Sequence, residues 1–245
     1  MTAGTTTAPL LGQTVVVIGG SAGIGLETAR LARAQGAEVI IAARNPERLE
    51  RAAREIGARS FAAFDAQDPQ ALAAFFADLP DQIDHVLLTG GGPYYGLLED
   101  FDFDEAERSF RDHLFVPVRI AQLAVGRVRP SGTLLFIGGT GGRRPGRGLA
   151  MIGAGTAAMP ALVANLAVEI APIRVNLLAA GFVDTPLSAS LLGDRLDARR
   201  EELRATLPIG RVVGPQDVAS LAVHIMQNTA LTGATYDIDG GQQLV

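Results

Sequence analysis

The 245-residue chain contains no cysteine and no lysine, and only 5% of its residues are aromatic. Without cysteine it has neither a disulfide framework nor a thiolate metal site, which favours a reducing, cytoplasmic location. Without lysine, all 21 basic residues are arginine. No side-chain ammonium group is therefore available to a reaction.

An excess of positive charge is also missing. The formal net charge is −5 at pH 7, which argues against nucleic acid or an anionic membrane as the main partner. The first residues carry no basic side chain ahead of their short apolar stretch, so they do not resemble a signal peptide. We predict a flexible N-terminal tail over residues 1–13.

The rest of the chain alternates short β-branched runs with amphipathic helical stretches, and hydrophobic residues make up 48% of the full chain. This alternation is typical of βαβ units on a parallel sheet. No polar linker, repeat or low-complexity segment interrupts it. We therefore predict one α/β domain over residues 14–245, a doubly wound parallel seven-stranded sheet with strands at 14–18, 38–42, 60–64, 85–89, 133–137, 174–178 and 235–238.

Several helices have recognisable ends. Asn45 and Asp68 each precede a proline, which predicts capped helix starts, and the first of these helices should end near Gly57. A helix over about 149–170 is apolar nearly all the way round. A helix that only covers a sheet needs one apolar stripe, so we expect its second face to contact another subunit in a homo-oligomer, a dimer or tetramer. A membrane span is the minor alternative for this segment.

A glycine-rich segment, Gly19 to Gly25, lies between the first predicted strand and the first predicted helix. Such a turn lets the backbone approach a pyrophosphate, and the following helix N-terminus offers free N–H groups. In this position the motif predicts a Rossmann-type dinucleotide site. A tight turn without a ligand is the alternative.

Ile18-Gly19-x-x-x-Gly23-x-Gly25 resembles the glycine motif of the short-chain dehydrogenase/reductase family, with Ile18 in place of threonine. Further similarity extends to the C-terminus through Asp65 and the segment from Ala180 to Pro186. The resemblance implies a nominal oxidoreductase acting on a carbonyl or alcohol. It also implies cofactor-binding positions at Gly19, Ser21, Ala22, Gly23, Ile24, Gly25, Arg44, Asn45, Asp65, Gly90, Gly91, Gly181, Val183 and Thr185.

The second strand indicates which dinucleotide is bound. Members of the family that prefer NAD place a carboxylate at its end, where this chain has Ala43. Arg44 follows and can pair with a 2′-phosphate through its planar fork. We predict NADP(H), with NAD(H) as the weaker alternative. The other interpretation of Arg44 is a solvated arginine before a helix cap.

The resemblance also shows which side chains are missing. The family uses a serine, a tyrosine and a lysine for proton transfer, and the aligned positions here are Gly139, Ile152 and Thr156. A supporting asparagine aligns with His113. Isoleucine has no proton to give, glycine offers no hydroxyl, and threonine carries no positive charge to lower the pKa of a phenol.

Two classes of function remain open. The first is an enzyme with relocated groups, for which we consider a histidine, two loop tyrosines and a threonine as weak catalytic candidates: His113, Tyr94, Tyr95 and Thr140. Each is also explained by ordinary packing. The second is a non-catalytic nucleotide-binding sensor, a scaffold or a partner subunit.

Three other features are less specific. Arg143, Arg144 and Arg147 form either a solvated charge run or an anion site. The stretch 187–207 resembles the helical lid of the family. His85 and His224 show no metal-ligand spacing with carboxylates, so we predict no metal site.

Overall fold

A computed structural model describes residues 8–89 and 91–245. Its seven strands form one fully parallel sheet in the order β3-β2-β1-β4-β5-β6-β7. This confirms the predicted doubly wound single sheet. The strands are β1 (Thr14–Ile18), β2 (Glu38–Ala43), β3 (Ser60–Ala63), β4 (Ile83–Leu88), β5 (Val128–Gly139), β6 (Arg174–Ala180) and β7 (Thr235–Ile238).

Helices cover both faces of the sheet, and 3₁₀ turns connect some of them. The α-helices are α1 (Gly23–Ala34), α2 (Pro46–Ile56), α3 (Pro69–Asp78), α4 (Phe103–Phe110), α5 (Val116–Ala124), α6 (Ala150–Glu169), α7 (Pro186–Leu192), α8 (Leu196–Thr206) and α9 (Pro215–Gln227). The predicted caps are confirmed. Asn45 and Asp68 accept backbone N–H groups at the starts of α2 and α3, and Gly57 ends α2 with a φ of 62°.

Alternate residues of β1 divide the core into two layers, as the two-residue period of a strand requires. Val16 and Ile18 pack with the side chains of α3, α5 and α6. Val15 and Val17 pack with those of α1, α2 and α9. Because the sheet is covered on both faces, its carboxyl edge is the open place where loops can build a site.

Two predictions need correction. Residues 1–7 of the expected tail lie outside the described residues. Of the rest, Leu10 is fully buried and its amide donates to the Gln35 carbonyl at 3.0 Å, whereas Leu11 is 76% exposed. The fifth strand starts at Val128 rather than 133, because Ser131 takes a φ of 67° and the chain continues as a strand through a stretch that reads as a turn.

The helix predicted over 149–170 is α6, and it is the one helix in the described part of the chain long and apolar enough to cross a membrane. One face carries buried residues, including Ile152, Met159 and Val163. The opposite face is exposed and consists mainly of small apolar side chains, with Val168 80% exposed.

Candidate dinucleotide and substrate site

The loop from β1 to α1 has the geometry of an anion cradle. Gly19 and Gly20 donate their amides to the Ala42 carbonyl at 2.7 and 3.1 Å, which ties the loop to β2. α1 then begins after Ala22, with no side-chain cap and no acidic residue in its first turn. Its first N–H groups are therefore left for a ligand, and the helix dipole favours an anion there.

Two glycines of this loop are sterically required. A Cβ on Gly25 would lie 2.3 Å from the Gly19 carbonyl oxygen, so α1 could not approach β1 this closely with a larger residue. Gly23 has a φ of 55°, and a Cβ there would lie 3.3 Å from the Thr185 side chain. Thr185 thus stands directly against the cradle. The residues present fit a dinucleotide pyrophosphate at this point.

The far end of the cradle is positively charged. Arg44 is exposed beyond the end of β2 and makes no ion pair or side-chain hydrogen bond among the described residues. Arg48, in the first turn of α2, donates from Nε to the Ser21 hydroxyl at 3.3 Å. Sequence reasoning missed Arg48, because only the packing of α2 brings it to the loop. The Asn45 side chain caps α2, because its Oδ1 accepts a hydrogen bond from the Arg48 amide at 2.8 Å.

Two acidic residues lie on the neighbouring loops. Asp65 follows β3, and its carboxylate accepts the Gln67 amide at 3.0 Å. Asp112 packs under Gly91, whose φ is 101° and where a Cβ would lie 2.7 Å from the Asp112 Cβ. Burial raises the pKa of the Asp112 carboxyl, and the charge of Asp65 adds to that effect. Gly90, also predicted to contact the cofactor, lies outside the described residues.

A cavity of about 480 Å³ continues from the cradle at the carboxyl edge of the sheet. It brings together many of the residues that the sequence singled out. Its lining includes Ile24, Gly91, Tyr95, His113, Thr140, Gly181, Val183 and Thr185. The same cavity is lined by Gly139, Ile152 and Thr156, so the three aligned positions share one space.

At those three positions the cavity wall offers little chemistry. The Ile152 side chain is 6% exposed and purely apolar. The Thr156 hydroxyl donates to the Ile152 carbonyl at 2.8 Å, inside its own helix. A Cβ on Gly139 would lie 3.3 Å from the Thr156 methyl group.

The ionisable side chains in the described cavity wall are Tyr95, His113 and Arg199. His113 lies in a π-helical turn, Arg111–Phe115, an irregularity that often marks functional sites. Its Nδ1 lies 2.7 Å from the Ser109 carbonyl oxygen and donates to it. In the neutral imidazole, Nε2 is then an acceptor available to the cavity.

The tyrosine candidates differ. Tyr95 lines the cavity with 55% of its surface exposed, and burial of the rest raises the pKa of its phenol. Tyr94 lies outside the cavity wall. Its hydroxyl accepts the Asp102 amide at 2.6 Å, and its ring packs edge-on against Phe101. Tyr94 therefore holds the loop together.

The arginines after β5 do not reach the cavity. Arg143 pairs with Asp237 at 2.5 Å and donates to Gln243 at 3.1 Å. Arg144 donates to the Gln242 carbonyl at 3.3 Å. Both tie the loop to the C-terminal segment, and neither lines the cavity. Arg147 is exposed.

The predicted lid is confirmed as helical. α7 and α8 follow β6, and three leucines of the first part line the cavity: Leu187, Leu191 and Leu192. The Asp184 carboxylate accepts two hydrogen bonds from the Arg200 guanidinium, at 2.9 and 2.8 Å. This bidentate pair anchors α8 to the loop after β6.

Within residues 8–89 and 91–245, no group of three or more His, Asp and Glu side chains is arranged to hold a metal ion.

Known proteins share this architecture along the whole chain. The model of the enoyl-(acyl carrier protein) reductase family matches residues 19–243. The 4-formylbenzenesulfonate dehydrogenase TsaC1/TsaC2 of Comamonas testosteroni is 31% identical, over 95% of this chain and 98% of that protein.

Two solved structures extend the comparison. The MalC reductase/Diels-Alderase of Malbranchea aurantiaca is 25% identical and superimposes with a TM-score of 0.89 over 98% of this chain and 99% of that one. BdcA, solved in complex with NADPH, is 26% identical, with a TM-score of 0.85 over 95% of both chains. The chain belongs to the short-chain dehydrogenase/reductase family.

Proposed function

We propose that this protein binds NADP(H) and supports hydride exchange with a carbonyl or alcohol in an apolar pocket, without the serine, tyrosine and lysine of its family. The carrying observation is that Gly139, Ile152 and Thr156 line one cavity with His113, which presents the only imidazole in the described wall. The proposal has two parts: which nucleotide is bound, and which residue exchanges the proton with the substrate.

The nucleotide part rests on charge. The uncapped start of α1 suits the pyrophosphate, and Arg44 and Arg48 lie where a 2′-phosphate would extend from the adenosine ribose. Ala43 supplies no carboxylate to hold the ribose hydroxyls of NAD or to repel a phosphate. Solved relatives that contain NADPH support the same choice. NAD(H) is the weaker ligand.

The proton part rests on His113. Once bound, the nicotinamide supplies or takes the hydride. The substrate oxygen must gain a proton on reduction and lose one on oxidation, and a histidine exchanges protons near neutral pH. The Ser109 carbonyl fixes the ring so that Nε2 serves this role.

The test is NADPH consumption with a panel of aldehydes and ketones. The Comamonas relative is named for an aromatic aldehyde that carries a sulfonate, so 4-formylbenzenesulfonate belongs in the panel. Turnover that His113→Ala abolishes supports the proposal. Turnover that is indifferent to His113 contradicts the proton assignment.

A non-catalytic nucleotide-binding sensor, scaffold or partner subunit is the second candidate. It is favoured by the Thr156 hydroxyl, which is already bonded within α6, and by the apolar Ile152 beside it. NADPH binding with no turnover across the panel would select this function.

We also propose that the exposed face of α6 contacts a second copy of the chain. Ala154, Ala157, Ala161, Ala164 and Val168 are exposed there. Small residues permit close helix packing, and burial of this apolar face would stabilise a homo-oligomer. A monomer by light scattering at micromolar concentration would contradict this.

A further inference from the structure

The second helix of the lid, α8, carries an arginine in the cavity wall. Neither nucleotide binding at the glycine cradle nor proton exchange at His113 requires this residue. Arg199 lies in the first half of α8 and lines the cavity, and 31% of its side chain is exposed. The cavity wall around it contains no aspartate or glutamate among the described residues. Its positive charge therefore has no counter-charge inside the pocket.

The ion pair that Arg199 does make lies outside the pocket. It donates to Glu202, one helical turn later, at 2.7 Å, and the Glu202 side chain is 58% exposed and absent from the cavity wall. Exposed ion pairs at this spacing contribute little to the stability of a helix. A guanidinium has five N–H donors, so the contact with Glu202 leaves most of them for a ligand.

The position of Arg199 on α8 depends on its neighbour. Arg200 forms the bidentate pair with Asp184 and donates a third hydrogen bond to Asp197 at 2.8 Å. Because successive residues of a helix point about 100° apart, anchoring Arg200 to the loop after β6 sets the direction in which Arg199 leaves α8. The Arg200 contacts therefore place the Arg199 side chain at the cavity wall, where it is one of the lining residues.

Much of the wall of this pocket is apolar, although Ser188 and Gln242 also line it. Leu149, Ile152, Phe182, Leu187 and Leu191 line it. A single cation at the edge of an apolar wall is suited to a molecule with an apolar body and one anionic group, because the body gains from burial and the anion gains a charge-assisted hydrogen bond.

We propose that the pocket selects substrates with an apolar body and one anionic head group, and that Arg199 binds that group. This names a substrate class for the site described under Proposed function and rests on it. Arg199 binds the part of the substrate remote from the reacting carbon. It is a specificity residue.

The experiment uses two dyes that differ in charge. 1-Anilinonaphthalene-8-sulfonate is an apolar anion, and N-phenyl-1-naphthylamine is the same ring system without the sulfonate. Both fluoresce on entering an apolar site. Titrations of the full chain are made with saturating NADP⁺, which is not fluorescent, so that the nicotinamide end is occupied.

We expect wild-type protein to bind the sulfonate dye more tightly than the neutral dye. Arg199→Gln should weaken the sulfonate dye about tenfold, the effect of losing about 1.4 kcal/mol, and change the neutral dye less than about twofold. Arg199→Lys should recover part of the preference because it keeps the charge. Glu202→Gln, the matched control, should preserve or tighten sulfonate binding because it removes a competing anion.

Three results would overturn the proposal. These are equal affinity of the wild type for both dyes, equal weakening of both dyes by Arg199→Gln, and no effect of Arg199→Gln on either. A separate titration with NADP⁺ alone tests the cofactor proposal. A wild-type protein that binds NADP⁺ but shows no preference between the dyes is a failure of this inference only, and absent NADP⁺ binding is a failure of the proposed function.

Discussion

The hydroxyl of Thr156 donates to the backbone carbonyl of Ile152, 2.8 Å away in the preceding turn of α6. These two residues occupy the positions where relatives of this fold class are expected to carry a lysine and a tyrosine. The Ile152 side chain has no polar atom, and the Thr156 hydroxyl already has its hydrogen-bond acceptor within α6. Any proton that reaches the pocket must therefore come from another element.

Introducing the serine, tyrosine and lysine that the family resemblance predicts for these positions should create ordinary carbonyl reduction. The triple variant Gly139→Ser, Ile152→Tyr, Thr156→Lys should consume NADPH with simple aldehydes, whereas Ile152→Tyr alone should not, because a phenol near pKa 10 needs the adjacent ammonium. The nearly buried Thr156 site should make the triple variant less stable by about 1–3 kcal/mol, measured by thermal denaturation. Gly139→Ala, Ile152→Phe, Thr156→Met is the size-matched control, and equal activity in that variant would contradict this explanation.

Removing His113 tests the relocated proton donor. His113→Ala should lower kcat by about a hundredfold or more, the usual contribution of a general acid or base. NADP⁺ affinity should change little, and kcat can be measured under saturating NADPH. The control is His224→Ala, an exposed histidine of α9 that lies outside the cavity wall. Equal losses in both variants would indicate a stability effect.

The two arginines beside the cradle should determine nucleotide preference. Arg44→Ala and Arg48→Ala should each weaken NADP⁺ binding about tenfold and leave NAD⁺ binding nearly unchanged, since only NADP⁺ carries the 2′-phosphate. Calorimetric titration with both nucleotides measures the ratio. Arg54→Ala is the control on the same helix, because Arg54 pairs with Glu50 on the exposed side. Unaltered preference in both test variants would refute the assignment.

The buried His85 makes the fold sensitive to acid. Desolvation, helped by the charge of Arg174, lowers the pKa of His85 from 6.5 to about 3. The unfolded chain therefore binds a proton that the folded chain refuses between those values. The free energy of unfolding should fall by up to about 1.4 kcal/mol for each unit that the pH drops from 6.5 toward 3.

Urea denaturation at several pH values checks this effect of His85. His85→Gln keeps a polar group near Gln13, which contacts the His85 Nε2 at 2.6 Å, and removes the titration. It should flatten the slope over that window. A slope identical to wild type would show that other groups cause the acid sensitivity.

The Asp184–Arg200 pair should hold the lid in place. Asp184→Asn should increase hydrogen exchange in the amides of α8 and leave the sheet protected, because the bidentate contact is lost. Asp197→Asn removes the other partner of Arg200. The Asp197 side chain is 86% exposed, so this change should have a much smaller effect. Faster exchange throughout the sheet would instead indicate general destabilisation.

The sheet and the capped helices were predictable because each depends on local patterns of apolar residues, prolines and cap residues, whereas the helical lid was expected from the resemblance to the family. The early start of β5 was not, since Pro130 and Gly132 look like turn residues. The glycine cradle was predictable from its sequence motif. The roles of Arg48 and Arg199 were not predictable, because their positions at the cradle and the pocket depend on how α2 and α8 pack. No short sequence pattern indicates that packing.

The contact between residue 139 and Thr156 also couples these two positions. Any residue other than glycine at 139 places its Cβ 3.3 Å from the Thr156 methyl group, a tight approach that Thr156 must relieve by a small shift. The effects of substitutions at 139 and 156 should therefore not be additive, because a change at one position alters the space that the other can fill.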